Sequence, residues 1–249
     1  MTCKNCGNEL NGMFCSNCGQ KHIEGRFNLK DLLHNFFHAF THLDRGILFL
    51  IKELFFRPGI VSAEYINGKR IRYFNPLQFL ILAVAVSTFI AVNYSLFGPK
   101  INTDTISGIE ETQRFFLEFN VFIYKYFNLI IFISVPVISV YSYLFYKSSG
   151  YNFAENLIFN TFISGERTVF YILLTPFLYF FKQHWYIIIG FYYIGWIFYF
   201  GFAYCQFFKG KTKHIILRYI LLIIIFVISA QLLSIFIFSI FFYKGKLIQ

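Results

Sequence analysis

A chain of 249 residues that is 57% hydrophobic, 23% aromatic and only 14% charged is not composed like one or two soluble domains. Its net charge of +10 would point to nucleic acid in a soluble protein. Here the basic residues crowd beside the first long apolar segment, so anionic lipid headgroups are the simpler partner and no nucleic acid is expected.

The chain opens with polar, Cys-rich MTCKNCGNEL in place of a basic and then apolar leader, so the N-terminus is expected to stay on the mature protein. Residues 1–20 read as a zinc ribbon. Cys3-x2-Cys6-x8-Cys15-x2-Cys18 gives two knuckles close enough in sequence to wrap one ion. Tetrahedral thiolate suits Zn²⁺, and four protein ligands leave no open position for a substrate, so the expected site is structural. Each knuckle runs into a glycine, Gly7 and Gly19, where the tight turn favours a positive φ. Two disulfides would need an oxidising compartment, whereas a chain of this kind is expected to keep its basic N-terminal region in the cytosol. Cys205, among aromatics in a later apolar segment, is read as packing.

Residues 21–76 read as a basic juxtamembrane segment. Apolar residues recur at helical spacing from Leu29 to Phe40 and from Ile47 to Phe56, with breaks at Gly46 and Arg57-Pro58-Gly59. This predicts two amphipathic helices on the inner leaflet. Lys52, Arg57, Lys69, Arg70 and Arg72 are candidates for binding lipid headgroups or a partner, each worth ~1 kcal/mol beside anionic lipid. Tyr65, Tyr73 and Phe74 suit headgroup depth, and Pro76 suits the first turn of a span. His34, His38 and His42 stack on one helix face near Asp31 and Asp44 as a weak second metal site. Only His22, His184 and His214 lie elsewhere, too few for a His-ligated membrane oxygenase, so a polar helix face is the simpler reading.

These motifs resemble those of the DUF3667 family, bacterial zinc-ribbon-containing multi-pass membrane proteins of unknown function. The resemblance rests on the paired CxxCG start, on His38-Ala39-Phe40-Thr41-His42-Leu43-Asp44, and on Arg57-Pro58-Gly59 followed by Tyr65-Ile66-x-Gly68-Lys69-Arg70-x-x-Tyr73-x-x-Pro76. Asn152-Phe153-Ala154-Glu155-Asn156-Leu157 is similar to a further family segment, with Asn156 where His is expected, which weakens any metal role there. The resemblance implies a cytosolic ribbon on a multi-helix membrane bundle and brings no known activity.

The rest, 77–249, reads as the transmembrane domain. Residues 77–97 carry no charge and rise about 31 Å as a helix, enough for a ~30 Å hydrocarbon core. Segments 126–146, 185–208 and 219–243 have the same character. The fifth span, 157–181, holds Glu166 and Arg167, each costing about 2.5 to 3.5 kcal/mol at mid-membrane. Adjacent residues point about 100° apart and do not readily pair, so these two form a candidate intramembrane polar site. Lys209, Lys211, Lys213 and Arg218 share one short loop that five spans place inside with the N-terminus. The loop from Gly98 to Lys125 would be the main external feature. The expected fold is an all-α membrane bundle of about five transmembrane helices with a zinc ribbon and interfacial helices.

Walker A, kinase, HExxH and GxSxG patterns are absent, and no enzyme is expected. The expected function is an integral scaffold or regulatory protein of the bacterial inner membrane, engaging lipid headgroups or a protein partner. The alternative is a small transporter or channel using Glu166 and Arg167.

Overall fold

A computed structural model describes residues 2–10, 12–22, 25–29, 46–94 and 111–247. Its helices are α1 (Gly46–Phe56), α2 (Pro58–Ile66), α3 (Pro76–Tyr94), α4 (Glu111–Lys125), α5 (Phe127–Phe145), α6 (Phe153–Phe180), α7 (Trp185–Phe207) and α8 (Thr212–Leu247). Among the described residues, β-pairing is confined to two isolated bridges in the N-terminal knuckles.

The membrane bundle is as expected from the sequence, with a shift in which segments carry it. Four helices contain stretches long and apolar enough to cross: Pro76–Asn93, Phe153–Phe180, Trp185–Phe207 and Thr212–Ile240. The segment 126–146 forms α5, a 19-residue helix from Phe127 to Phe145 whose described apolar stretch is Leu129–Phe145. The span expected at 157–181 with Glu166 and Arg167 is a continuous 28-residue helix that begins earlier, at Phe153.

That helix, α6, is the axis of the bundle. It packs on α3 most extensively, then on α5, α2, α7 and α1. Buried residues make up 61% of its apolar window, against 11% in α7 and 6% in α8, whose outer faces are left to lipid. Central placement explains its composition: Asn156, Asn160, Ser164, Glu166 and Thr168 would be costly against lipid but here face protein. Asn156 Oδ1 accepts from Ser142 Oγ at 2.8 Å, and Asn160 Oδ1 from the Tyr204 hydroxyl at 3.1 Å. A capping box starts the helix: Asn152 Oδ1 accepts the Glu155 N–H at 2.9 Å, and Glu155 Oε2 accepts the Asn152 N–H at 2.8 Å.

Side-chain contacts give the directions. Phe159 stacks on Phe207 and Arg167 lies over Trp196, so α6 and α7 are antiparallel. Ser142 meets Asn156 while Phe127 meets Tyr171, so α5 and α6 are antiparallel too. The first turns of α6 and α8 and the last turns of α5 and α7 therefore gather at one pole. An aromatic cluster fills it, with Tyr146 stacked on Phe208 at 4.0 Å and Tyr151 on Phe207 at 4.3 Å.

The breaker Arg57-Pro58-Gly59 proves to be a helix start. Pro58 is at the first positions of α2, where its missing N–H and fixed φ are favourable. Helix α2 buries Pro58, Gly59, Val61, Ser62, Tyr65 and Ile66 against α6 and α7. A Cβ on Gly59 would lie 2.5 Å from the Ala203 carbonyl oxygen and 2.6 Å from the Phe207 nitrogen, so only glycine permits this approach to α7. Gln206 bridges the α1–α2 break, accepting the Gly59 N–H at 3.1 Å and donating to Phe56 O at 3.4 Å. Helix α1 buries Leu50 and Leu54 and exposes Leu48, Phe55 and Phe56, in keeping with an interfacial element. The helix expected over Leu29–Phe40 lies, beyond Leu29, outside the described residues, as do residues 95–110 of the expected external loop; α4, which follows, packs Phe115, Phe119 and Phe122 around Phe238 of α8.

Candidate functional site

Cys3, Cys6, Cys15 and Cys18 converge: one sulfur from each lies within 4.8 Å of the others. The Cys3 and Cys18 sulfurs are 3.6 Å apart and those of Cys6 and Cys15 are 3.5 Å apart, with every cysteine free. Four thiolates about 2.3 Å from a tetrahedral ion sit about 3.8 Å from one another, so this cluster fits one metal ion with little adjustment.

The knuckles are built alike. Cys3 N–H donates to Asn8 O and Gly7 N–H to Cys3 O, both at 2.8 Å; Cys15 N–H donates to Gln20 O at 2.9 Å and Gly19 N–H to Cys15 O at 2.8 Å. The turns need Gly7 at φ +80° and Gly19 at φ +72°. The Gln20 N–H pulls the Cys18 thiol down to about 6 and N–H groups of Cys18 and Asn17 lower Cys15, whereas at Cys6 the Asn8 backbone lowers the thiol but burial and the neighbouring Cys15 and Cys18 push it up to about 11.

The ribbon is docked on the bundle. Gln20, 5% exposed, donates Nε2–H to Gly68 O at 2.6 Å, and its Oε1 accepts the N–H groups of Arg70 at 3.2 Å and Ile71 at 3.4 Å. Lys4 packs against Gly68. Arg26 forms an ion pair with Glu155 and donates to Gly150 O at 2.6 Å, while Asn152 Nδ2 donates to Phe27 O at 2.9 Å. Phe27 is buried beneath the Arg70 guanidinium, 4.2 Å from its ring centroid, and beside Tyr65. Sequence reading missed Gln20, Arg26, Phe27 and Glu155 as docking residues. The N-x-x-E capping box at Asn152 was the one local signal; the docking partners lie 48 to 129 positions apart in the chain.

The five basic candidates do not form an open cationic patch. Arg57 pairs with Glu53 one turn earlier. Lys69 reaches Glu64 at 3.0 Å and Arg72 reaches it at 4.0 Å, while Tyr73 donates its hydroxyl to the same carboxylate. Burial pushes Glu64 up, but Tyr73, Lys69 and Arg72 outweigh it and hold the carboxyl below its ordinary range. Burial and Glu64 raise the Tyr73 phenol to about 12. Arg70 covers Phe27, and Lys52 is exposed.

Glu166 is fully buried, and among the described residues neither carboxyl oxygen has a hydrogen-bond partner. Arg167 turns away to the Trp196 ring at 5.4 Å, and its carbonyl accepts from the Tyr192 hydroxyl at 3.2 Å. The two are therefore neighbours in sequence only. His34, His38 and His42 lie outside the described residues. Asn156 is buried and hydrogen-bonded to Ser142.

Fold and site define a multi-helix membrane protein with an N-terminal four-cysteine centre docked on one pole. Residues 44–88, which contain α1, α2, the Gly68 turn and most of α3, match the model of a family described as a protein of unknown function, DUF3667. Within those residues the match agrees with the resemblance carried by Arg57-Pro58-Gly59 and the Tyr65–Pro76 motif. No curated protein and no solved structure matches the chain.

Proposed function

We propose that the protein is a non-enzymatic scaffold or regulatory component of the bacterial inner membrane, in which Zn²⁺ held by Cys3, Cys6, Cys15 and Cys18 maintains a rigid cytosolic head that engages lipid headgroups or a protein partner. The observation carrying this reading is Gln20: a buried side chain two residues past the last cysteine, bonded to the turn that leads into α3. Zinc is the metal that a closed set of four thiolates favours, and with no open ligand position it supplies folding energy in place of chemistry. Lys147, Lys209, Lys211, Lys213 and Arg218 share the ribbon's pole, with Arg218 bonded to Ser148 at 3.3 Å, and this basic excess supports a cytosolic orientation.

The test is native mass spectrometry of the full chain released from mild detergent, compared with Cys6→Ser. One zinc per wild-type chain, with anionic lipid or a protein retained, and loss of both in Cys6→Ser, is the expected result. Lipid or partner retention that is indifferent to zinc loss would refute the role given to the ribbon.

A further inference from the structure

We propose that Glu166 is a proton-binding site of the membrane domain, neutral in the closed bundle and releasing its proton when the α1–α2 hairpin moves away from it. This goes beyond the scaffold role and gives the transport alternative a specific chemistry.

The argument starts from an unbalanced group. Glu166 is buried, and among the described residues neither of its oxygens has a hydrogen-bond donor. An ionised carboxylate in that position would have neither water nor a counter-charge, a state that buried carboxyls escape by taking up a proton. Among the described residues, the five helices packed on α6 agree, and the Lys182–His184 turn meets only its far end, after Phe180. Helices α3 and α5 contain no Asp, Glu, Lys, Arg or His and bring only the tyrosines Tyr94, Tyr141 and Tyr143. Helix α7 likewise contains none and brings Tyr186, Tyr192, Tyr193, Tyr199, Tyr204 and Cys205. On α1, Glu53 is engaged by Arg57 and Lys52 is exposed; on α2, Glu64 is engaged by Lys69, Arg72 and Tyr73, and Tyr65 is packed between Phe27 and Phe162. On α6 itself Glu155 is paired with Arg26, and Arg167 is over Trp196.

Tyr199 is the ionisable group that interacts with Glu166 across the α6–α7 contact. Its hydroxyl donates to Leu54 O at 2.9 Å, and Phe55 meets Phe170, so the last turn of α1 packs on the turn of α6 that follows Glu166. Tyr199 and Leu54 thus satisfy each other, leaving Glu166 without the multiple oxygen ligands that a hard metal cation requires; a proton requires one. The hairpin is the movable cover. It is short, it does not cross the bundle, and α7 holds it through Tyr199 and Gln206. When it withdraws, the carboxylic acid gives H⁺ to entering water, the electron pair stays on the carboxylate, and reprotonation restores the closed state.

The test is carbodiimide modification of the full chain in nanodiscs from about pH 5 to about pH 9, read at Glu166 by mass spectrometry. Carbodiimides attack protonated carboxyls in apolar surroundings. Labelling is expected at neutral pH and falls by roughly tenfold per pH unit once the proton leaves. In proteoliposomes, Glu166→Gln, which copies the neutral acid in shape, should dissipate a pH gradient at least about tenfold more slowly than the wild type. Titrating label without gradient dissipation would support the proton site and dismiss transport. Label constant across the range would mean a permanently neutral structural acid, and no label at any pH would mean an ionised, paired one; either overturns the proposal. The wild-type profile decides between these even if the variant fails to fold.

Discussion

Replacing Gln20 by Ala tests how the metal centre is joined to the membrane domain. The side chain's strongest bond is the 2.6 Å donation from Nε2 to Gly68 O. Its Oε1 accepts from Arg70 and Ile71, but the Arg70 N–H also reaches Gly68 O at 2.9 Å, and Ile71 is exposed enough for water to replace its 3.4 Å bond. The loss thus amounts to about one buried hydrogen bond and part of a second, about 1 to 2 kcal/mol, or roughly a 5- to 30-fold shift from docked to undocked ribbon. The zinc knuckle should survive, because the bonds that shape it come from the Gln20 backbone. Two assays read the change in nanodiscs: amide hydrogen exchange across residues 12–22, and the rate at which a chromogenic chelator extracts the metal. Both should accelerate by about the same factor, within the range given above. Unchanged exchange and extraction in a variant that still carries one zinc would show that Gln20 holds nothing, and the docking argument would fail.

Gly59→Ala must push α2 away from the Ala203 and Phe207 backbone, and about 1 to 3 kcal/mol of destabilisation is expected, seen as a lower thermal unfolding midpoint than for Ile60→Ala on the exposed side. A midpoint equal to wild type would mean that α2 and α7 are not in contact. Because the folded Glu64 carboxyl lies below its ordinary range, its contribution is present above that range and is lost as pH falls through the depressed value. Amides of residues 67–73 should therefore lose exchange protection on acidification, beginning at higher pH in Tyr73→Phe; an identical onset in that variant would remove Tyr73 from the cluster. Tyr204→Phe deletes the donor to Asn160 inside the bundle and should cost about 0.6 to 1.7 kcal/mol by steric trapping or denaturant unfolding, whereas no change would place Asn160 in contact with another donor.

What could be read in advance followed from local chemistry. Cysteine spacing and the two glycines specify the knuckles without help from distant residues, and uninterrupted apolar length specifies α3, α7 and α8. Reading failed where a local rule assumed the wrong surroundings. The insertion cost assigned to Glu166 and Arg167 is a cost against lipid, but α6 is wrapped by five other helices and never presents Glu166 to lipid. The break expected at Arg57-Pro58-Gly59 does end α1 at Phe56, but local rules did not reveal that a second helix restarts at Pro58, or that Gly59 is needed by a helix over 140 positions away. In the basic cluster, Glu53 and Glu64 pair locally with Arg57 and Lys69, four and five positions on, and Glu64 also gathers Arg72 and Tyr73, an arrangement that counting basic residues alone does not reveal.

Helix α2 is where these features connect. Nine residues long, it is held at its start by Gln206 of α7 and at its end by the turn that Gln20 grips from the ribbon. Two glutamines, one beside the metal centre and one in the bundle, therefore restrain opposite ends of one short strut. The strut carries no free termini between them: Ser62 Oγ returns its bond to Pro58 O at 2.9 Å, and Asn67 N–H caps Ala63 O at 2.9 Å. Losing the metal would release the Gln20 end alone, while the Gln206 end would keep Gly59 seated on α7. The other side of the α1–α2 hairpin is held where Leu54 O accepts the Tyr199 hydroxyl and Phe55 meets Phe170, one turn beyond Glu166. The two anchors can be removed one at a time, by Gln20→Ala and by Gln206→Ala, and carbodiimide labelling of Glu166 in each variant tests whether either end of the strut governs exposure of the buried carboxyl.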